Sequence, residues 1–190
     1  MTFKSLIICS TLFLASCSSH APNLIVLNPE VSEVTQNQSD NIPLSIKTID
    51  TRKANYVVRF NNKDDAARLV SPFQSPRQQL AVIFQDGFSQ AGYQLSANSD
   101  RQLQIQLEQL LTNVNESFLG YQADTNIIIN VIATKGNQTL TKRFDAKGKL
   151  KGSMSADFAS LEQEINQLIT KLSTDIINDN ELNDFLNSQP

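Results

Sequence analysis

In the segments 102–108 and 139–146 the apolar side chains fall two apart, while in the segments 76–91 and 157–178 they fall three and four apart. A chain patterned this way has to combine a sheet with helices that each bury one stripe. Leu103, Ile105 and Leu107 alternate with Gln102, Gln104, Gln106 and Glu108, so one face of that strand is buried and the other is wet. Ile127 to Ala133 is apolar on both parities and suits a central strand. Gly136-Asn137 supplies turn chemistry. Thr139 to Ala146 places Leu140 and Phe144 inward, with Lys142 on the same parity, as an edge strand would.

The helices have equally clear punctuation. Ser75-Pro76 opens the first: the serine can accept a bond from an early backbone N–H, and proline at the first position gives up no needed donor. Leu80, Ile83, Phe84, Gly87, Phe88 and Ala91 form its stripe, and Gly92 suits a left-handed residue just past the end. The second runs from about Asp157, its N-cap, to Asn178, with the stripe Phe158, Leu161, Ile165, Leu168, Ile169, Leu172 and Ile176. Asn180 to Leu186 adds one or two turns. Upstream, Leu44, Ile46 and Thr48 alternate with Ser45 and Lys47 as another strand, and the stretch from Arg52 to Gln74 reads as a loop. The expected order is β-α-β-β-β-α. The expected fold is α+β: a two-layer sandwich with both amphipathic helices on one face of a mixed, mostly antiparallel four-stranded sheet.

The N-terminus reads differently. Lys4 is followed by an uncharged apolar run from Leu6 to Ala15, which at about ten residues is too short to cross a ~30 Å hydrocarbon core. It ends in Leu14, Ala15, Ser16 and Cys17, which match the lipobox of bacterial lipoproteins at all four positions. The reading is a signal peptide over 1–16, acylation of Cys17 with diacylglycerol and an N-linked fatty acid such as palmitate, a tether over 17–41, and one α+β periplasmic domain over 42–190. Several acyl chains give stable attachment without a spanning helix. Ser18 follows the cysteine where an aspartate would signal inner-membrane retention in enteric-type bacteria, so the expected address is the outer membrane, with the domain facing the periplasm. Leu24 to Leu27 has the composition of a short strand, but most of that stretch reads as tether.

The two cysteines are Cys9 in the signal and Cys17 in the lipid attachment, so no disulfide within the chain is expected. With 16 basic and 19 acidic residues, the surface makes no strong field, and electrostatic capture of nucleic acid or anionic lipid is not expected. His20 is the one histidine, beside the anchor, so neither a histidine-based triad nor a transition-metal cluster has material to form from. No metal and no cofactor are expected. Asp64, Asp65, Glu116, Asp124, Asp157, Glu162 and Glu164 are the carboxylates from which a glycosidase-like pair would be drawn, although their pattern reads as solvated surface. Asp50 and Arg52 share the inward parity of Leu44 and Ile46 at the strand's end. They are read as a structural pair holding the following loop against the first helix, with a ligand site there as the alternative. Tyr56, Phe60, Phe73, Phe118 and Tyr121 lie in or near connections, where aromatic residues cap a core or serve an interface.

The chain resembles the YajG family of outer-membrane lipoproteins. The resemblance rests on the lipobox, Asn28-Pro29, the strand ending Asp50-Thr51-Arg52 and the helix ending Ala91-Gly92-Tyr93. It continues through the strand-rich region to the last amphipathic helix with Asp184-Phe185-Leu186 beyond it. It implies a location and a fold and attaches no reaction. The leading expectation is therefore a non-catalytic module that binds or scaffolds a protein partner in the envelope. The alternatives are a small-ligand module for a cell-wall fragment or lipid, and an enzyme acting on an envelope polymer.

Overall fold

The computed structural model describes residues 24–31, 33–35, 41–62 and 65–188. Among these, the strands are β1 (Leu24–Ile25), β2 (Pro43–Asp50), β3 (Val58–Asn61), β4 (Arg68–Pro72), β5 (Gln94–Leu95), β6 (Arg101–Ser117), β7 (Gly120–Lys135) and β8 (Gln138–Gly152). The helices are α1 (Pro76–Gln90), α2 (Phe158–Ile177) and α3 (Asn180–Asn187). All eight strands join one mixed, curled sheet, so the four-stranded two-layer sandwich expected from the pattern is not what forms.

The difference has identifiable causes. β6 and β7 pair antiparallel from Arg101–Lys135 to Ser117–Gly120, and β7 pairs with β8 along its length. The register of β6 against β7 shifts between Leu107 and Gln109. That bulge moves the buried parity from Leu103, Ile105 and Leu107 to Leu110, Thr112 and Val114, so a period-2 reading sees the strand end at Glu108 when it continues for nine residues more. On the opposite edge, β6 carries two parallel neighbours in succession: β2 beside Gln102 to Leu107, then β3 beside Thr112 to Asn115. β3 and β4 arise within the stretch that composition assigned to a loop, and β1 adds to β4. Strands this short offer too few alternations to be read from pattern. β8 pairs only with β7, the edge position its inward Lys142 suggested.

The helices keep their sequence positions. Gly92, at φ 101°, closes α1, with Tyr93 N–H donating to Phe88 O and Gly92 N–H to Ser89 O. The Ser75 side chain does not cap α1; its carbonyl accepts from Gln78 and Gln79 instead. Asp157 caps α2 through a bond from Ser160 N–H, and Asp179 caps α3 through one from Leu182 N–H. α1 lies against β2, and α2 lies against β8 and β7. Phe84, Phe88, Leu161 and Ile165 from the helices and Leu103, Ile105, Ile127 and Ile129 from the sheet are fully buried in one core. Tyr93 donates its phenol proton into α3, where Asn183 Oδ1 stands 2.8 Å away. The amide nitrogen of Asn183 is already committed to the Ile177 and Asp179 carbonyls, so its oxygen is the acceptor. Burial pushes the Tyr93 phenol well above its ordinary pKa, a shift the nearby Arg101 only partly opposes.

Residues 24–31 and 33–35, read from composition as tether, are docked along α2. Val26, Asn28, Glu30 and Thr35 donate backbone N–H groups to Glu162, Asn166, Thr170 and Asn178. Asn166 and Asn178 donate in return to the Val26 and Glu33 carbonyls. Glu162, Asn166 and Thr170 stand at successive fourth positions along one helix edge, about 6 Å apart, and extended backbone offers an N–H on the same side every second residue at nearly that spacing. Thr35 meets Asn178 at the C-cap, beyond the left-handed Glu33. Ile25 and Leu27 point the other way and are fully buried.

Candidate functional site

Every described helix sits on the inward parity of the sheet, so among the described residues no helix covers the opposite face of β6, β7 and β8. That face carries Gln102, Gln104, Gln106, Asn113, Asn126, Asn130 and Thr134, with half-buried Leu111 and Ile132 among them. Two ionic clusters cross it. Glu108 accepts from Asn130 at 2.8 Å and pairs with Arg143. Asp124 accepts from Gln122 at 2.7 Å and faces Lys149 at 3.4 Å. The Gln122 bond, more than the lysine charge, holds the Asp124 carboxyl below the usual carboxylate range.

A notch of about 290 Å³ opens where β2 leaves β6 and before β3 joins it, lined by Arg52, Lys53, Tyr56 and the bulged residues Glu108 and Gln109. Asp50 and Arg52 meet beside it. Arg52 Nε is 3.0 Å from Asp50 Oδ1, its Nη2 is 2.9 Å from Oδ2, and its backbone N–H donates to Oδ1 at 3.1 Å. Nη1 reaches the Tyr56 carbonyl at 3.4 Å, so the guanidinium ties the strand end to the connection that follows. Thr51 closes the strand with two bonds to the Leu107 carbonyl, one from its N–H and one from its hydroxyl. Bulges of this kind are frequent beside functional surfaces because they re-aim side chains.

The other candidate residues are dispersed. Leu14, Ala15, Ser16, Cys17, His20 and Asp64 lie outside the described residues. Glu116 accepts from Ala156 N–H, Glu162 from Val26 N–H and Asp157 from Ser160 N–H. The Ser160 bond holds the Asp157 carboxyl below its ordinary range, opposite to what a general acid requires. Asp65 stands near Asn62, and Glu164 lies over Gly148 of β8. Among the described residues no three His, Cys, Asp or Glu side chains gather as a metal site. Phe60 is buried under the Arg68 guanidinium, 3.9 Å above its ring, with Phe158 beside it. Tyr56 and Tyr121 are half-buried, and Phe73 and Phe118 are exposed. Sequence reasoning passed over the bulge at Glu108, the ladder of side chains on α2, and the exposed Leu119 and Met154. A readable signal existed for Leu119: apolar residues occupied a hairpin tip where turn chemistry favours glycine or asparagine.

Solved structures similar to this chain share its fold at low identity. A Xanthomonas campestris protein of the DUF330 family superposes with a TM-score of 0.62 at 14% identity, over 88% of this chain and 99% of that one. An uncharacterized protein superposes with a TM-score of 0.52 at 14% identity, over 78% and 97% of the two chains. No curated protein matches. Among the described residues no helix is long and apolar enough to cross a membrane. The family model described as "Uncharacterized lipoprotein" matches residues 29–187, most of the chain, with α1, α2 and α3 inside the match. The chain belongs to this family, the YajG-type uncharacterized lipoproteins.

Proposed function

We propose that this lipoprotein is a non-catalytic binding module of the cell envelope, acylated at Cys17, held on the outer membrane with its domain in the periplasm, and engaging a protein partner. The observation that supports this is the uncovered face of β6–β8, strands of 17, 16 and 15 residues with amide-rich and half-buried apolar side chains, bordered by the Arg52 notch. Hydrogen-bonding amides around a few apolar anchors are the composition of a protein interface. A small ligand held between the helices and the sheet has less support, because the apolar cavity there, between Leu27, Leu80, Leu107 and Ile169, is about 10 Å³, room for no more than a water molecule. Envelope-polymer chemistry has less still, since among the described residues Glu116, Asp157 and Glu162 accept from backbone N–H groups and Asp65 and Asp124 from neighbouring side chains.

Photo-crosslinkers placed in intact cells at Gln104 and Asn130 on the open face should capture the same protein, while one at Asp86 on α1 should not. Equal capture from all three positions, or none, would reject the face as the interface. In parallel, Cys17→Ser should abolish incorporation of labelled palmitate and release the protein from the outer membrane. Retained label would reject the anchor.

A further inference from the structure

Among the described residues, the three most exposed large apolar side chains lie at one end of the molecule. Phe118 and Leu119, at 101% and 86% exposure, form the tip of the β6–β7 hairpin. Met154, at 80%, follows the end of β8, where Gly152 pairs with Tyr121. The backbone reinforces their display. Gly120 closes the hairpin at φ 144°, where a Cβ would collide with the Gly152 carbonyl oxygen, and Met154 is held at φ 70°. A left-handed methionine carries a backbone cost that a glycine there would avoid. Behind the tip, Lys147, Lys149 and Lys151 occupy the exposed parity of β8.

The chain enters the domain from this same end. β6 runs toward the tip, β3 is parallel to it, β4 is antiparallel to β3, and β1 is parallel to β4. β1 therefore runs away from the tip, and its first residue, Leu24, is the end of the strand nearer the tip. By the register Leu24–Ser71, Val70–Val58 and Val58–Thr112, Leu24 stands about level with the residue before Thr112. The tip leads that level by about seven residues of strand, roughly 23 Å. Cys17 precedes Leu24 by seven residues, a chain that reaches at most about 25 Å. A lipid on Cys17 thus holds the bilayer within reach of the tip and away from the far end of the sheet.

We infer that Phe118, Leu119 and Met154 seat in the lipid interface beside the anchor, so that the domain stands on the bilayer with its open sheet face upright. The inference rests on acylation at Cys17. Apolar side chains entering the acyl boundary with the Lys151 amine, about three residues of strand behind the tip, level with the headgroups are the chemistry of an interfacial contact, and a second such contact beside an acyl anchor fixes orientation as well as attachment.

The test uses the full acylated chain in vesicles of phosphatidylethanolamine and phosphatidylglycerol. An environment-sensitive fluorophore attached through Leu119→Cys should shift to the blue and resist an aqueous quencher, while one attached through Lys47→Cys on the open face should do neither. The non-acylated Cys17→Ser chain reads the tip without the anchor. It should bind the same vesicles weakly, and Phe118→Ser with Leu119→Ser should lower that binding at least tenfold while leaving the thermal transition in place. A fully quenched fluorophore at 119 in vesicles where palmitate labelling shows the anchor intact would overturn the inference. So would vesicle binding unchanged by the serines. Loss of palmitate label alone would instead strike the anchor.

Discussion

Arg52 is the most constrained charged side chain at the candidate surface. Its side chain is 7% exposed, and that of Asp50 is 25% exposed. The pair is joined in a forked, bidentate geometry, the arrangement in which a guanidinium gains most from a carboxylate. Removing one partner leaves the other charge partly desolvated, which costs 3–5 kcal/mol for a fully buried pair and about 2 kcal/mol where one carboxylate edge keeps its water. Asp50→Ala and Arg52→Ala should each lower the stability of the domain by about that amount. Because the two side chains touch, the double variant should cost less than the sum, by about 1–2 kcal/mol. Chemical denaturation of all four proteins measures this. Additive losses would mean that the Tyr56 carbonyl and solvent satisfy each residue separately, and would favour a ligand role for the notch.

At the scale of elements, the ladder along α2 does work that helices usually leave to their apolar stripe. Asn166 accepts from Asn28 N–H at 2.8 Å and donates to the Val26 carbonyl at 3.1 Å, so one side chain serves two backbone groups of the docked segment. Asn166→Ala should cost about 1 kcal/mol, because both backbone groups lose a partner at an exposed site where water replaces it in part. The loss should be local. Hydrogen exchange at the Asn28 amide should accelerate while the amides shared by β6 and β7 keep their protection, since opening of one segment does not require the sheet to open. Acceleration spread evenly through β6 and β7 would show instead that the segment and the sheet unfold as one unit. α3 is held by comparable means: Lys142 joins its N-cap Asp179 at 2.7 Å, and Arg101 Nε meets the Leu186 carbonyl at 2.8 Å. Cations at the last carbonyls complement the helix dipole.

For the whole molecule, the docked segment decides where the folded unit begins. Ile25 and Leu27 belong to the same core as α1 and α2, and Phe73 N–H closes the junction on the Ile25 carbonyl at 2.7 Å. A chain starting at residue 24 should melt as the full domain does. A chain starting at residue 42 should lose about 3–6 kcal/mol from those two side chains, roughly 10–20 °C in Tm. Calorimetry of the two chains measures this, and equal melting temperatures would show that the segment adds nothing to the core. The same boundary bears on orientation, because the docked Leu24 stands only seven positions after Cys17.

Three kinds of information were already in the amino-acid order. The stripes of α1 and α2 were legible because helical periodicity is a local property repeated over four or five turns, and Asp157 and Gly92 marked their ends by local backbone chemistry. The Leu103-Ile105-Leu107 alternation was legible for the same reason, and the contact of Asp50 with Arg52 was suggested by their shared parity. The order of Leu14, Ala15, Ser16 and Cys17 pointed to a lipoprotein, and the family match to residues 29–187 supports that class. Tertiary structure decided the rest. Whether Glu108 ends a strand or starts a bulge depends on β7 running alongside with Ile128 and Ile129 in the shifted register. Whether Val58 and Val70 lie in a loop or a sheet depends on the free edge of β6 at Thr112. Whether Leu24 to Thr35 is a tether depends on Glu162, Asn166, Thr170 and Asn178, more than a hundred residues away. In each case the backbone groups concerned find partners only when distant chain arrives, and no local pattern encodes an arrival.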